Sequence, residues 1–281
     1  MIEVDDGADA ASRIARWQRE IAEIIANLEV REFPRVLDRC LERLVPFDLT
    51  VIFAYPDEAP PLLLHDGIRG HAPGDALISY LNGTYLLDPF YTACARRVSP
   101  GLYRMSELAP DDFFEGQYVN SWEVHPCISM ESGSLAEEIG YMVPLTSGFM
   151  ATYSLMRRNG NRPFNGFEVA LLKQVEPVVR QAISHHWRNL MVPQTLKSGS
   201  APWERGLVME RAFERFGADS LSAREQMVVQ LVLRGHSNFS IARTLEIAEG
   251  TVKNHRKSIY AKLGIASQRE LFTLFVRHVL N

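Results

Sequence analysis

No lysine occurs before Lys173 in this 281-residue chain, although Lys and Arg together number 30. A phosphoreceiver needs an acidic pair after a first strand, a central Asp and a later Lys. Here Asp5 and Asp6 precede a helix and follow no strand, and the lysine is missing, so that class is excluded. Cysteine is as scarce: Cys40, Cys94 and Cys127 are the whole set. Three thiols build no disulfide framework and fit a reducing compartment. No run approaches the roughly 18 apolar residues of a membrane span. The first residues, MIEVDDGADA, lack the basic start and apolar stretch of a signal peptide. The expected location is therefore the cytoplasm. There is no G-x-x-x-x-G-K-[ST] loop for a nucleotide phosphate, no internal repeat and no low-complexity tract.

What is present is ordinary in bulk and uneven in layout. The chain is 46% hydrophobic, 10% aromatic and 23% charged, enough for a sizeable core. Its length suggests two domains at roughly 100–200 residues each. Net charge is −4. From Trp203 onward, 12 basic residues face 8 acidic ones, a net of +4, so the remainder carries −8. A basic terminal segment on an acidic body suits a DNA reader with a separate control domain.

Hydrophobic spacing predicts helices over residues 12–45, with a new start near Phe33–Pro34, over 75–97 with an interruption at Gly83, and over 110–122. Strands are expected at Leu49–Tyr55, Leu62–His65, Glu137–Pro144 and Phe149–Arg157, and a long helix over Asn165–Trp187. The expected fold class is α+β: an N-terminal α/β/α sandwich of the kind used by small-molecule sensors, then an all-α four-helix domain. Residues 192–202, VPQTLKSGSAP, have linker composition. The boundaries are 1–191 for ligand sensing and dimerisation, 192–202 for the linker and 203–281 for the terminal domain. Trp203–Phe216 is expected as a lead-in helix ended by Gly217.

The terminal domain is the most informative stretch. Ser222 and Glu225 form a capping box ahead of a helix that Gly235 can end. A second helix begins near Asn238 and a third runs from about Thr251 to Leu263, with Val252 and Ile259 inward. A fourth covers Ser267–Leu280. Lys253, Asn254 and Lys257 share the outer face of the third helix, where amides and cations can reach base edges. A charged, solvated helix in a small bundle is the bland alternative for any lysine cluster taken alone.

The order of motifs decides between them. LSAREQMVVQLVLRGHSNFSIARTLEIAEGTVKNHRKSIYAKLG carries L-S-x-R-E, G-x-S-N, I-A-x-x-L, T-V-K-x-H and K-L-G. It closely resembles the LuxR-type helix-turn-helix domain. The resemblance implies four helices, major-groove contacts at Lys253, Asn254 and Lys257, and phosphate contacts near Ser237, Asn238, Thr251 and Arg256. It implies dimer contacts from the fourth helix. One departure stands out: Ala248 replaces the family's usual serine cap of the recognition helix, a loss of roughly 0.5–2 kcal/mol.

Two upstream stretches, LDPFYTACARR (87–97) and IGYMVPLTSGFMATYSLM (139–156), resemble the autoinducer-binding, GAF/PAS-like domain of quorum-sensing regulators. By that resemblance Asp88 accepts a hydrogen bond from a ligand amide and Tyr80 lies near a pocket tyrosine, one residue out of step. The tryptophan expected four residues earlier has no counterpart at Ala76 or Leu77. The expected ligand is therefore a small molecule other than an acyl-homoserine lactone. Candidate lining residues are Phe53, Tyr55, Tyr80, Tyr85, Asp88, Phe90, Tyr103, Trp122, Met142 and Phe149. Each aromatic has core packing as its alternative, and Asp88 can instead cap the helix that begins at Pro89.

His185 and His186 are neighbours on a helix and point about 100° apart, a poor metal pair. His125 and Cys127 lack a second ligand cluster. No Ser/His/Asp order or carboxylate pair suggests catalysis, and no cofactor or metal is expected. The expectation is a dimeric, DNA-binding, non-enzymatic regulator that reads a palindromic operator under a small-molecule effector, with no membrane partner. Two alternatives stay open: a ligand-free dimerisation or protein-interaction module, and a true acyl-homoserine lactone receptor. An enzyme fused to a DNA-binding domain is a more distant third.

Overall fold

The computed structural model describes residues 6–56, 59–68, 76–81, 85, 88–111, 135–158, 160–191 and 214–268, together with 270, 271, 274, 275 and 278. Helix α1 (Asp6–Ala26) and helix α2 (Phe33–Glu42) show the expected new start at Phe33–Pro34. The break falls where Glu29 adopts a left-handed φ of 67°, which α-helix does not tolerate. Strands β1 (Leu49–Tyr55) and β2 (Leu62–Asp66) follow.

Helix α3 (Ala76–Leu81) and helix α4 (Pro89–Ala95) stand where one interrupted helix was expected. Pro89 forces the restart, because it lacks an N–H and belongs in a first turn. The Asp88 carboxylate caps that turn, accepting from the Phe90 N–H at 2.8 Å. Strand β3 (Gly101–Arg104) and helix α5 (Met105–Leu108) are additions to the expected elements. Strand β4 (Leu135–Pro144), strand β5 (Met150–Arg158) and helix α6 (Gly166–His186) complete the N-terminal part. The helix expected over 110–122 lies almost wholly outside the described residues.

The five strands form one antiparallel sheet in the order β2-β1-β5-β4-β3. Strand β1 pairs with β5 along its whole length, from Leu49 opposite Met156 to Tyr55 opposite Met150. Both are buried almost throughout, as central strands covered on two faces must be. Alternate side chains separate the two layers. Ile52, Ala54, Ile139, Tyr141, Val143, Tyr153 and Leu155 meet α1, α2 and α6. Phe53, Tyr55, Met142, Met150 and Met156 meet Tyr80, Phe90 and Met105 on the opposite side. The fold is thus α+β, an α/β/α sandwich joined to a helical C-terminal part.

Three features fasten the layers. Arg157 of β5 makes a bidentate pair with Glu168 of α6 at 3.1 Å per bond, donates to the Pro46 carbonyl and stacks 4.1 Å from the Phe164 ring centre. Its charge is buried and fully answered, as burial demands. Asp38 of α2 accepts from Tyr153 Oη at 2.6 Å and Thr50 Oγ1 at 2.9 Å, and lies 2.7 Å from His65 Nε2. Gly140 of β4 has no side chain because the Phe90 ring fills its place: a β-carbon there would sit 2.6 Å from a ring carbon.

The C-terminal part holds α7 (Ala223–Leu233), α8 (Asn238–Leu245) and α9 (Glu249–Leu263). A final helical stretch includes Gln268, Leu271 and Phe275. Val228, Val232, Ile241, Leu245, Val252, Ile259, Leu271 and Phe275 form its core. Of the expected lead-in helix, Glu214 and Arg215 are helical ahead of Gly217 at φ +73°, and 203–213 lie outside the described residues. The linker 192–202 is outside them as well.

Candidate nucleic-acid interface and sensor site

The expected capping box at the start of α7 is present. The Ser222 amide donates to Glu225 Oε2 at 2.8 Å and the Glu225 amide to Ser222 Oγ at 3.4 Å. Glu225 does more than cap, because it also accepts from Ser258 Oγ and Lys262 Nζ of α9, each at 2.7 Å. Lys262 above all, then the Ser222 amide and Ser258, hold its carboxyl down at about 2. One buried acid therefore ties the first helix of the motif to the third.

Helix α8 starts at Ser237, whose hydroxyl accepts from the Ser240 amide at 3.1 Å. It ends in a left-handed turn at Glu246, and Ala248 then begins α9 with no side-chain cap. Val252 and Ile259 of α9 are buried, while Thr251, Lys253, Asn254 and Lys257 are exposed. The packing thus separates an apolar inner face from a polar outer one that carries all three expected groove-contact residues, Lys253, Asn254 and Lys257. Lys253 pairs with Glu249 at 3.0 Å, one turn back. An exposed pair of this kind is worth only ~0.3–0.5 kcal/mol and is easily exchanged for a stronger anion.

Arg256 is more constrained. It donates to Asn238 Oδ1 at 2.9 Å, Tyr260 Oη at 3.0 Å and Gln268 Oε1 at 2.7 Å. It links α9 to α8 and to the final helical stretch. Asn238 and Arg256, both expected near phosphates, are therefore held together as one half-buried unit. Ser237 has a partner no motif announces: its amide donates to Asp111 Oδ1 at 2.9 Å and its hydroxyl to Asp111 Oδ2.

In the sandwich, Phe53, Tyr55, Tyr80, Tyr85, Asp88, Phe90 and Met142 are brought together on the face covered by α3 and α4. Tyr103 is half-buried against the same cluster and donates to the Ser99 carbonyl. Phe149 does not join them. It packs on the α1–α2–α6 side of the sheet, since it ends the β4–β5 turn with the opposite facing. Trp122, with His125 and Cys127, lies outside the described residues.

The polar centre of this group is a chain. Tyr80 Oη donates to Asp88 Oδ2 at 2.5 Å. It lies 2.8 Å from Tyr55 Oη, which must then supply the proton of that second bond, since a phenol has only one. Burial and the Asp88 charge push both phenols well above their ordinary range. The rings also satisfy one another: Phe53 stacks on Tyr80 at 4.5 Å, and Tyr91 meets Tyr85 edge-on at 4.8 Å. Tyr91 escaped the sequence reading, although it stands inside LDPFY beside Phe90. Cys94 lies 3.3 Å from Thr152 Oγ1, and burial pushes its thiol up to about 12.

Two further polar clusters among the described residues are satisfied within the fold. His186 stacks on Phe33 at 4.3 Å and accepts from the Glu29 amide at 3.0 Å, while His185 turns toward the Glu29 carboxylate. Glu20, Glu23 and Cys40 converge, but the Arg43 guanidinium already supplies their cation at 2.8 and 2.9 Å from the two carboxylates.

Comparison with known proteins bears on both parts. A family model described as bacterial regulatory proteins, luxR family, matches residues 219–275. A putative HTH-type transcriptional regulator in the exeN 3' region of Aeromonas salmonicida is 30% identical over 196 residues, 69% of this chain and 95% of that protein. Response regulator protein TodT of Pseudomonas putida is 47% identical over 53 residues, 19% of this chain and 23% of its own. Among solved structures, the LBD domain of VqsR from Pseudomonas aeruginosa superposes with a TM-score of 0.51 at 22% identity, covering 62% of this chain and 98% of that one. The last likeness is one of fold.

Proposed function

Because this chain belongs to the LuxR family of bacterial regulatory proteins, with a C-terminal helix-turn-helix as its DNA-binding domain, we propose that it is a homodimeric transcription regulator whose sandwich takes up a small molecule. In this reading residues 1–191 sense and dimerise, 192–202 link, and 203–281 bind DNA. Lys253, Asn254 and Lys257 face the major groove. Thr251, Arg256, Asn238 and Ser237 hold phosphates on either side. The observation that carries it is the outer face of α9, polar and exposed, directly behind a buried Val252 and Ile259.

The mechanism follows from general rules of helix-turn-helix docking. The second helix of the pair enters the groove, and phosphate contacts set its register. Two copies related by a two-fold axis read two half-sites about one helical turn, or a multiple of it, apart. A small molecule alters the outcome only by its different affinity for the states that fit and do not fit this spacing.

Asp88, Tyr80, Tyr55, Tyr85, Phe53, Tyr103 and Met142 are the proposed sensor residues. A ligand carrying an N–H or O–H donor would take the place that the Tyr80 hydroxyl holds on Asp88. Ala76 and Leu77 offer no indole donor for a lactone carbonyl, which supports a ligand other than an acyl-homoserine lactone. One observation favours a second reading, a ligand-free dimerisation module: the tyrosines and Asp88 already satisfy one another. Native mass spectrometry of the purified dimer separates the two by the presence or absence of a bound small molecule. Selection from a random duplex pool tests the DNA reading. A palindromic consensus supports it, and enrichment of no sequence contradicts it.

A further inference from the structure

Ser237 is the N-cap of α8 and one of the proposed phosphate contacts. Its amide and hydroxyl are the two donors that a phosphodiester would use. In this structure both are taken by one carboxylate, Asp111, three residues beyond the end of α5 in the sensor. The carboxylate is bidentate, one oxygen to the amide at 2.9 Å and the other to the hydroxyl. A carboxylate matches two phosphate oxygens in charge and spacing, and the positive end of a helix favours either. The contact pairs residues 126 positions apart.

The surroundings hold the acid in place. Leu108 and Ala109, just before it, pack on an apolar cluster that runs from the inner face of the sensor into the C-terminal bundle. A crevice of about 460 Å³ lies between Asp111 and Phe239, Ser240, Arg243 and Thr244 of α8. Phe239 and Arg243 are exposed on this side, as is Asp111 itself. The bond is therefore open to competition from an anion in solution. It is neither buried nor part of a core.

We infer that Asp111 acts in cis as a phosphate mimic, occupying the N-cap of α8 and opposing DNA binding until the sensor and the bundle separate. This rests on the reading of Ser237 as a phosphate contact. Duplex DNA must displace the carboxylate from Ser237 before α8 can seat on the backbone. Asp111 also sets a negative charge where a phosphate would arrive, so its removal acts twice in the same direction. The contact gives the acidic sensor a specific point of action on the basic terminal domain.

The test uses the full-length protein without added effector and a mixed-sequence DNA duplex at low salt, since phosphate contacts are independent of sequence. Fluorescence anisotropy is measured for wild type and for Asp111→Ala, Asp111→Asn, Glu42→Ala and Lys257→Ala. Glu42→Ala removes one exposed sensor carboxylate elsewhere and controls for net charge. The expected result is about fivefold tighter binding for both Asp111 variants, at the low end of the usual coupling range, with Glu42→Ala unchanged. Amide exchange at Ser237 is expected to rise in Asp111→Ala, which reports the lost contact directly. Equal affinity of wild type and both Asp111 variants overturns the inference, and so does an equal gain from Glu42→Ala. In either case weaker binding by Lys257→Ala leaves the DNA-binding reading standing. Absence of DNA binding by every variant removes that reading and this inference with it.

Discussion

Tyr80 gives its only hydroxyl proton to Asp88, at 2.5 Å, inside a layer where both residues are almost fully buried. The same carboxylate caps α4 through the Phe90 amide. One acid thus joins α3, α4 and, through Tyr55, the central strand β1. Tyr80→Phe removes the donor and leaves a buried carboxylate oxygen short of one bond. The expected cost is about 1–3 kcal/mol, read as a lower thermal midpoint of the sensor. Tyr55→Phe is expected to cost less, because the acceptor it leaves without that donor is the neutral Tyr80 oxygen and not the carboxylate. Equal midpoints for all three proteins would contradict the chain.

The Glu225 network predicts a pH signature in the C-terminal domain. Its carboxyl is held at about 2, first by Lys262, against an ordinary value of 4.5. A depressed folded value means that the stabilisation is complete above about 4.5 and is lost as pH falls toward 2. Glu225→Gln keeps the shape and removes the charge. Urea titrations at pH 7 are expected to show it about 1–3 kcal/mol less stable. The gap from wild type should narrow steadily below pH 4.5. A gap independent of pH over that window would assign the network to shape alone.

The uncapped start of α9 predicts a gain. Ala248 holds the extended N-cap conformation, φ −70° and ψ 145°, without an oxygen to offer. Ala248→Ser supplies one to the free amides of the first turn and is expected to stabilise by about 1 kcal/mol. A β-carbon at Gly250 would meet open space, so Gly250→Ala is expected to add up to about 1 kcal/mol more. Calorimetry on the full chain checks both. A loss of stability in either variant would show that the first turn has a different geometry.

His186 predicts acid sensitivity in the sensor. Its ring accepts a hydrogen bond from the Glu29 amide, a role open only to neutral imidazole, and burial lowers its pKa below 6.5. Stability linked to it is present above 6.5 and lost as pH falls through the lower folded value. His186→Phe keeps a ring for stacking on Phe33 and cannot protonate. Its sensor midpoint is expected to change less than that of wild type between pH 7 and pH 5.

Much of this architecture is readable from residue order. The long regular elements announce themselves: α6 by its 3.6 period behind Asn165, β1 by its β-branched and aromatic run, β5 by alternation, and α7 by Ser222 and Glu225. Short elements do not, and Gly101–Arg104 offers four residues with no alternation to detect. The outer face of α9 was legible because one helix sets it. The aromatic cluster on the α3–α4 face was legible only in part, because its members come from β1, α3, α4 and β4 and meet through long-range packing. Phe149 was misassigned to that group because the turn before it decides which face of the sheet it takes. The meeting of Asp111 with Ser237 has no local signature at all.

The most direct test of the DNA-binding account is a quantitative titration of a selected operator by wild type, Lys253→Ala and Lys257→Ala, each also measured on a scrambled duplex. Base contacts carry discrimination worth ~1–3 kcal/mol apiece. Each variant is therefore expected to lose roughly ten- to a hundredfold in affinity for the operator, with a smaller loss on the scrambled duplex. Operator affinities equal to wild type in both variants would contradict the assignment of the α9 outer face as the reading surface.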